Sequence, residues 1–292
     1  MSSRLAVAAA ILAAAVPQIS QAAELQRSTL MAWNAYLTEA HSRMQERITI
    51  KQPFLWTDES ADRAARVRRG EVVIAPATAN GAESIPNGLI HDWIGAVFIP
   101  NATIDSLSAV VHDYDKYKQV YRPVVTASRT LACTQAKQEF LMVWQRRVLF
   151  VSAAMQGHYQ AHEVMLDSRR GYSIAEATEV REIAGYGHED EHLLPPDTGS
   201  GFIWRIESIA RYEERDGGVY LELEAIALTR DIPASLSWLV SPVVNQLSIQ
   251  SLTTTLRQTR EAVSSLRGSV KGLALCPNPA GASTTANTGG ME

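Results

Sequence analysis

Residues Trp204 to Ala227 read WRIESIARYEERDGGVYLELEAIA, and this stretch decides the fold. Asp216-Gly217 is a two-residue turn signal set between two alternating runs. That turn places Arg215 opposite Gly218, Tyr212 opposite Leu221, Arg211 opposite Glu222 and Ala210 opposite Leu223. One face then collects Trp204, Ile206, Ala210, Tyr212, Leu221, Leu223, Ala225 and Ala227. The other collects Arg205, Glu207, Arg211, Glu213, Glu222 and Glu224. A slip of one residue would set Arg211 against Leu223 and mix the faces, which burial penalises. The expectation is an antiparallel sheet with one wet face and one apolar face. On the wet face, Arg211 and Glu222 read as an exposed cross-strand ion pair worth well under about 1 kcal/mol.

Downstream, Asp231 and Pro233 open a helical stretch holding Leu236, Trp238, Leu239 and Val240. Ser241-Pro242 then reads as an N-cap followed by proline at the first helical position. A long helix is expected from there to about Leu266. Val244, Leu247, Leu252, Leu256, Thr259 and Val263 form its stripe, softened by Ser248, Ser251, Thr254 and Thr255. Upstream, strands are expected near 89–99, 124–132, 138–151, 156–166 and 171–183. Thr103 caps a helix carrying Ile104, Leu107 and Val110. Further back, Gly70 to Ile74 reads as a short strand and Ala75 to Gly88 as a connection. Leu30, Trp33, Leu37, Ala40, Met44 and Ile48 mark an N-terminal helix that packs on the domain.

The two ends of the chain read differently. Arg4, the apolar run Leu5 to Val16, Pro17 and Ser20-Gln21-Ala22 have the form of a secretory signal cleaved after Ala22. The run is about 12 residues, short of the roughly 20 that span a bilayer. An exported protein, periplasmic or extracellular, is therefore expected. Residues 269–292 are too poor in apolar side chains to order themselves. The expected organisation is a signal over 1–22, a helical extension with the first strand over 23–80, the main domain over 81–268 and a disordered tail.

Composition narrows the classes. The chain has 292 residues, 46% hydrophobic and 20% charged, with net charge −4. That balance supports a sizeable core and carries no electrostatic footprint for nucleic acid. Two cysteines, Cys133 and Cys276, cannot build a disulfide scaffold; they pair with each other or stay free. His188-Glu189-Asp190-Glu191-His192 matches H-E-x-x-H, but Gly185 and Gly187 before it and Pro195-Pro196 after it make a loop rather than the required helix. His158 and His162, four residues apart on a strand, stand roughly 13 Å apart. No metal and no cofactor are expected, and no nucleophile elbow, phosphate loop or dinucleotide fingerprint occurs.

Several phrases resemble the START-like (SRPBCC) superfamily, nearest to exported bacterial members. They are Gly88-Leu89-Ile90-His91 with Trp93 and Val97-Phe98-Ile99-Pro100, and Asp113-Tyr114-Asp115 with Lys118, Tyr121 and Pro123. Phe202 with Trp204-Arg205, Glu213 with Arg215-Asp216-Gly217-Gly218-Val219-Tyr220, and Arg230-Asp231-Ile232-Pro233 complete the set. The likeness covers roughly residues 85 to 265. It implies an α+β helix-grip fold, a curved antiparallel sheet wrapped around a long C-terminal helix with a cavity between them.

The resemblance implies a binder or carrier for a lipid or other hydrophobic small molecule. Its alternatives are an aromatase/cyclase-like enzyme using His91 and Arg205 on a polyketide-like substrate, or a structural domain with a filled core. Ala175, Ala177, Ala225 and Ala227 either leave room for a ligand or seat the helix closely. The candidate lining residues are His91, Trp93, Tyr117, Tyr121, Trp144, Trp204, Leu223, Ala225, Leu247, Ser251 and Thr255. His91 and Asp92 point to opposite faces, so only one can look into the cavity. His91 reads either as an acid/base or polar anchor, or as a satisfied structural histidine. Trp238-Leu239-Val240 is a candidate gate or membrane-touching edge, so transient membrane contact is expected. Oligomeric state is left open.

Overall fold

The computed structural model describes residues 23–49, 52–134, 137–148, 151–232 and 234–266. Residues 1–22, read above as a signal, and residues 267–292 with Cys276 lie outside the described residues, as do the side chains of Trp238, Leu239 and Val240.

The elements follow the sequence pattern closely. A two-residue strand β1 (Ala23–Glu24) leads into helix α1 (Arg27–Ile48). A 3-10 turn (Trp56–Glu59) precedes α2 (Ala61–Arg68), whose N-cap Ser60 accepts from the Arg63 amide. Three strands come next: β2 (Val73–Pro76), β3 (Ala82–Ile85) and β4 (Gly88–Pro100). Then α3 (Ile104–Val111) starts at Thr103, which forms a reciprocal capping box with Ser106. A turn at Tyr114–Lys116 and the short α4 (Tyr117–Val120) follow. Strands β5 (Val125–Cys133), β6 (Gln138–Val148), β7 (Val151–Met165) and β8 (Arg170–Ala184) make the next run. The minor β9 (His192–Leu193) and β10 (Thr198–Gly199) precede the hairpin β11 (Arg205–Arg215) and β12 (Gly218–Arg230). The chain's long helix is α5 (Ala234–Ser265).

The main sheet is antiparallel, in the order β2-β4-β12-β11-β8-β7-β6-β5, with β3 beside β4 and β9 beside β8. The hairpin register is the expected one: Tyr212 opposes Leu221, Arg211 opposes Glu222, Ala210 opposes Leu223 and Arg215 opposes Gly218. Helix α5 lies along β4 and β2 and only lightly over β12. Its Leu252 and Leu256 pack with Trp93, Val97 and Ile99. Gly95 makes this approach possible, since a Cβ there would fall 2.7 Å from Leu256 and 2.4 Å from Ile74. A curved antiparallel sheet gripping a long C-terminal helix is the helix-grip architecture.

Four expectations are corrected. The stretch 138–151 is not one strand; β6 ends at Val148 and β7 begins at Val151. The connection 75–88 contains β3, which hydrogen-bonds to β4. Helix α5 does not start at Ser241 but runs through Pro242, which forfeits one backbone hydrogen bond without ending the helix.

The fourth correction is the largest. The wet face of the sheet is not wet: Glu207, Arg211, Glu222 and Glu224 are buried. The stripe Trp33, Leu37, Ala40 and Met44 of α1 packs on that face with Phe54, Leu55, Trp56 and Val67, against Ile94, Phe98, Ile209, Ile226 and Leu228. An amphipathic helix needs an apolar surface to cover, and the charged strand residues come under it with their partners.

Candidate functional site

Burial divides the sheet. On the α1 side, Glu207, Ile209, Arg211, Glu222, Glu224, Ile226 and Leu228 are all buried. On the α5 side the same two strands present Ile206, Ser208, Ala210, Leu223, Ala225 and Ala227, and each keeps partial solvent exposure. Across the β11–β8 pairing, Ser208 meets Ala175 and Ala210 meets Ser173, and both partners are also partly exposed. These are middle strands of a wide sheet, where side chains are normally sealed. Solvent reaches them because α5 sits over β4 rather than over β11 and β8. Toward the Asp216-Gly217 turn the gap closes, where Leu107 and Val110 of α3 join Tyr212, Val219 and Leu221 in a packed cluster.

The elements around this partly exposed face differ in chemistry. On one side Tyr114, Phe140 and Tyr159 stack face to face, with centroids 4.0 and 4.8 Å apart. Tyr117 meets that stack edge-on and donates its hydroxyl to the Val111 carbonyl. Burial pushes the Tyr117 phenol well up. Trp144 belongs to the same cluster. Across from it, the roof is the polar edge of α5: Tyr121 and Thr259 share a hydroxyl–hydroxyl bond of 3.0 Å, and Arg146 donates to Ser251 Oγ at 2.6 Å. Leu247, Ser251 and Thr255 are partly exposed on this edge, while Leu252 and Leu256 are buried against β4.

At the far wall, His91 and Trp93 stand on the α5-facing side of β4. His91 Nε2 lies 3.1 Å from Thr229 Oγ1, whereas its Nδ1 has no partner. Burial brings the imidazole down to about 4, so it is neutral at ordinary pH. Asp92 points the other way, as its position in the strand requires. It accepts from the Tyr36 hydroxyl at 2.7 Å and from Arg43 at 3.3 Å.

Of the sequence-derived candidates, His91, Trp93, Tyr117, Tyr121, Trp144, Leu223, Ala225, Leu247, Ser251 and Thr255 come to the α5 side. Trp204 does not. It lies just outside β11, its amide bonds to the Leu228 carbonyl, and its ring joins the α1-side cluster. Arg205 also leaves the set, pairing with Asp197 at 2.8 Å on the α1 side of the sheet. The enzymatic pairing of His91 with Arg205 is therefore not assembled. Arg211 and Glu222, read as an exposed pair, are a buried one at 3.2 Å. Glu222 also accepts from the Trp56 and Thr57 amides and the Thr57 hydroxyl.

The sequence reading missed Phe140, Tyr159, Ser208 and Arg146. The signal was present in β6, where Phe140, Met142, Trp144 and Arg146 share one face by strand period. The 188–192 segment forms turns and a two-residue strand, not a helix. Among the described residues no group of three or more His, Cys, Asp or Glu is placed to hold a metal ion. A separate groove of about 790 Å³ runs between the β4–α3 connection and the end of α5, lined by Asn101, Thr103, Asp105 and Glu214 among others. It shares no residue with the partly exposed face under α5.

No protein-family model and no curated protein matches the sequence. Solved structures do resemble the fold. A STAR-related lipid transfer protein fragment from Xanthomonas axonopodis is 19% identical, aligned over 66% of this chain and 98% of its own, with a TM-score of 0.42. The Zhui aromatase/cyclase from a Streptomyces species is 11% identical over 63% of this chain and 99% of its own, TM-score 0.41. The lipid transfer and protein localization domain of human StarD13 is 10% identical over 73% and 98%, TM-score 0.40. By its own topology, the antiparallel sheet packed along a long C-terminal helix is a helix-grip arrangement.

Proposed function

We propose that this protein is a non-catalytic binder or carrier of a lipid or other hydrophobic small molecule, held between α5 and the concave face of the sheet, and that it works after export. The observation that supports the reading is the row Ile206, Ser208, Ala210, Leu223, Ala225 and Ala227, still partly exposed in the middle of the sheet. A surface that is concave, largely apolar and unsealed is the ordinary form of a small-molecule site. Covering it with a ligand would contribute about 25 cal/mol per Å² of apolar area removed from water. Export is supported by the Leu5 to Val16 run and by Cys133, which is disulfide-bonded; disulfides persist in oxidising compartments.

The test is organic extraction of the purified protein followed by mass spectrometry. A stoichiometric lipid-like or aromatic compound is expected, absent after the hollow is filled by Ala225→Leu with Ser208→Leu. A protein that yields no compound and takes up none from a mixed lipid extract has a closed interior, and the carrier reading fails.

A further inference from the structure

Resting on the carrier reading, we infer that the ligand is an amphiphile with an anionic head, carboxylate or phosphate, and that Arg146 and Ser251 hold that head. Arg146 stands on the side of β6 that carries Phe140 and Trp144, facing α5. It opposes Ala153 on β7, which leaves space beside its stem. Among the described residues its guanidinium makes one hydrogen bond, to Ser251 Oγ, and no carboxylate lies within ion-pair distance.

Among the described residues, half-buried Arg181 and Arg230 also lack a carboxylate, but they bond to the Leu194 and Ser200 carbonyls, whereas Arg146 bonds to a hydroxyl of α5. Other arginines hold carboxylates. Arg211 is clasped by Glu222 and Glu224, and Arg43 by Asp92 and Glu224. Arg205, half-buried like Arg146, has Asp197. A guanidinium drawn partly out of water without a counter-charge is costly unless an anion completes it. Burial alone pulls the Arg146 guanidinium below its usual range, with no neighbouring charge contributing. Its planar fork suits carboxylate and phosphate oxygens two at a time, and a serine hydroxyl beside it adds a third donor. The aromatic stack and the Ala225 floor receive the apolar body. Arginine here thus fixes which end of the molecule lies under α5.

The experiment uses the full mature chain and four probes with one sixteen-carbon tail: palmitate, palmitoyl lysophosphatidate, methyl palmitate and monopalmitoylglycerol. Affinities are measured by displacement of a fluorescent fatty-acid analogue. Wild type should bind the two anions about tenfold or more tighter than the two neutral probes, the weight of one charge-assisted hydrogen bond. Arg146→Met should lose that preference while its affinity for the neutral probes stays within about twofold of wild type. Arg146→Lys should keep part of it, and Ser251→Ala should reduce it without unfolding risk. Whichever anion binds tighter names the head as carboxylate or phosphate. Equal binding of anions and neutral probes by wild type overturns this inference and leaves the carrier reading standing. An anion preference unchanged in both Arg146→Met and Ser251→Ala overturns it as well. Failure of every probe to bind wild type overturns the carrier reading itself.

Discussion

The two faces of one hairpin make opposite use of the same strands. The face under α1 is chemically polar yet sealed: Arg211, Glu222, Glu224 and Glu207 are buried and bonded to one another and to groups from residues 36–57. The face under α5 is built of Ala, Ser, Leu and Ile, yet it stays partly open. Polarity of the residue is therefore a poor guide to wetness. What decides is which element lies over the strand and whether it fits. Helix α1 and the following turn bring partners for Asp92, Glu207, Glu222 and Glu224, whereas α5 is offset toward β4 and leaves β11 and β8 uncovered.

The sharpest way to break this contrast is to remove a charge from the sealed face. Glu222 accepts four hydrogen bonds, and Glu222→Ala would strand the Trp56 and Thr57 amides and leave Arg211 with Glu224 alone of its two carboxylates. Urea denaturation should show a loss of about 3–5 kcal/mol. A loss under about 1 kcal/mol would mean that this face is hydrated after all.

The next effect compares neighbours in sequence. His91 faces α5 and Asp92 faces α1. Burial holds the His91 imidazole down at about 4, so the folded state keeps it neutral while the unfolded chain takes up a proton near 6.5. Its contribution is present above that higher value and lost as pH falls from about 6.5 to 4, on the order of 3 kcal/mol. Asp92 has the opposite sign. Burial first, then the nearby Glu224 carboxylate, raise its acid above the ordinary range. Its contribution is present below about 3.9 and lost as pH rises through the raised value. Unfolding free energies measured from pH 4 to 8 should therefore lose their acid-side slope in His91→Gln and their neutral-side decline in Asp92→Asn. Parallel curves for wild type and His91→Gln would contradict the burial assigned to His91.

The smallest effect is a single substitution made twice. Ala96, on the α1 side, is 1% exposed in a filled cluster, so Ala96→Leu should cost about 1–3 kcal/mol by overpacking. Ala225, opposite Trp93 on the α5 side, borders the hollow, and Ala225→Leu should cost under about 1 kcal/mol. Equal costs from chemical denaturation would erase the distinction between the faces.

How much of this was legible in the chain depends on range. The hairpin register was, because Asp216-Gly217 fixes the turn and a one-residue slip exposes a whole apolar row. The Thr103 cap and the Leu252–Leu256 stripe were legible for the same local reason. The cover over the charged face was not, since a strand alternating Glu and Arg with apolar residues reads the same under water or under a helix. The clue lay far back in the chain (Met44 is 167 residues before Arg211), in Trp33, Leu37, Ala40 and Met44, a stripe that needed a surface. Trp204 was misplaced because alternation was extended one residue past the start of β11. Arg146 was legible by strand period but not as an unpaired charge, because its lack of a carboxylate is a property of the folded neighbourhood.

The central claim is that space remains between α5 and the middle strands. Its most direct test is titration of a fluorescent fatty-acid analogue into wild type and into the Ala225→Leu, Ser208→Leu double variant, with unfolding midpoints recorded alongside. One saturable site in wild type, lost in a variant that unfolds within a few degrees of it, is the predicted result. Identical saturable binding in both proteins, or none in either, would contradict it.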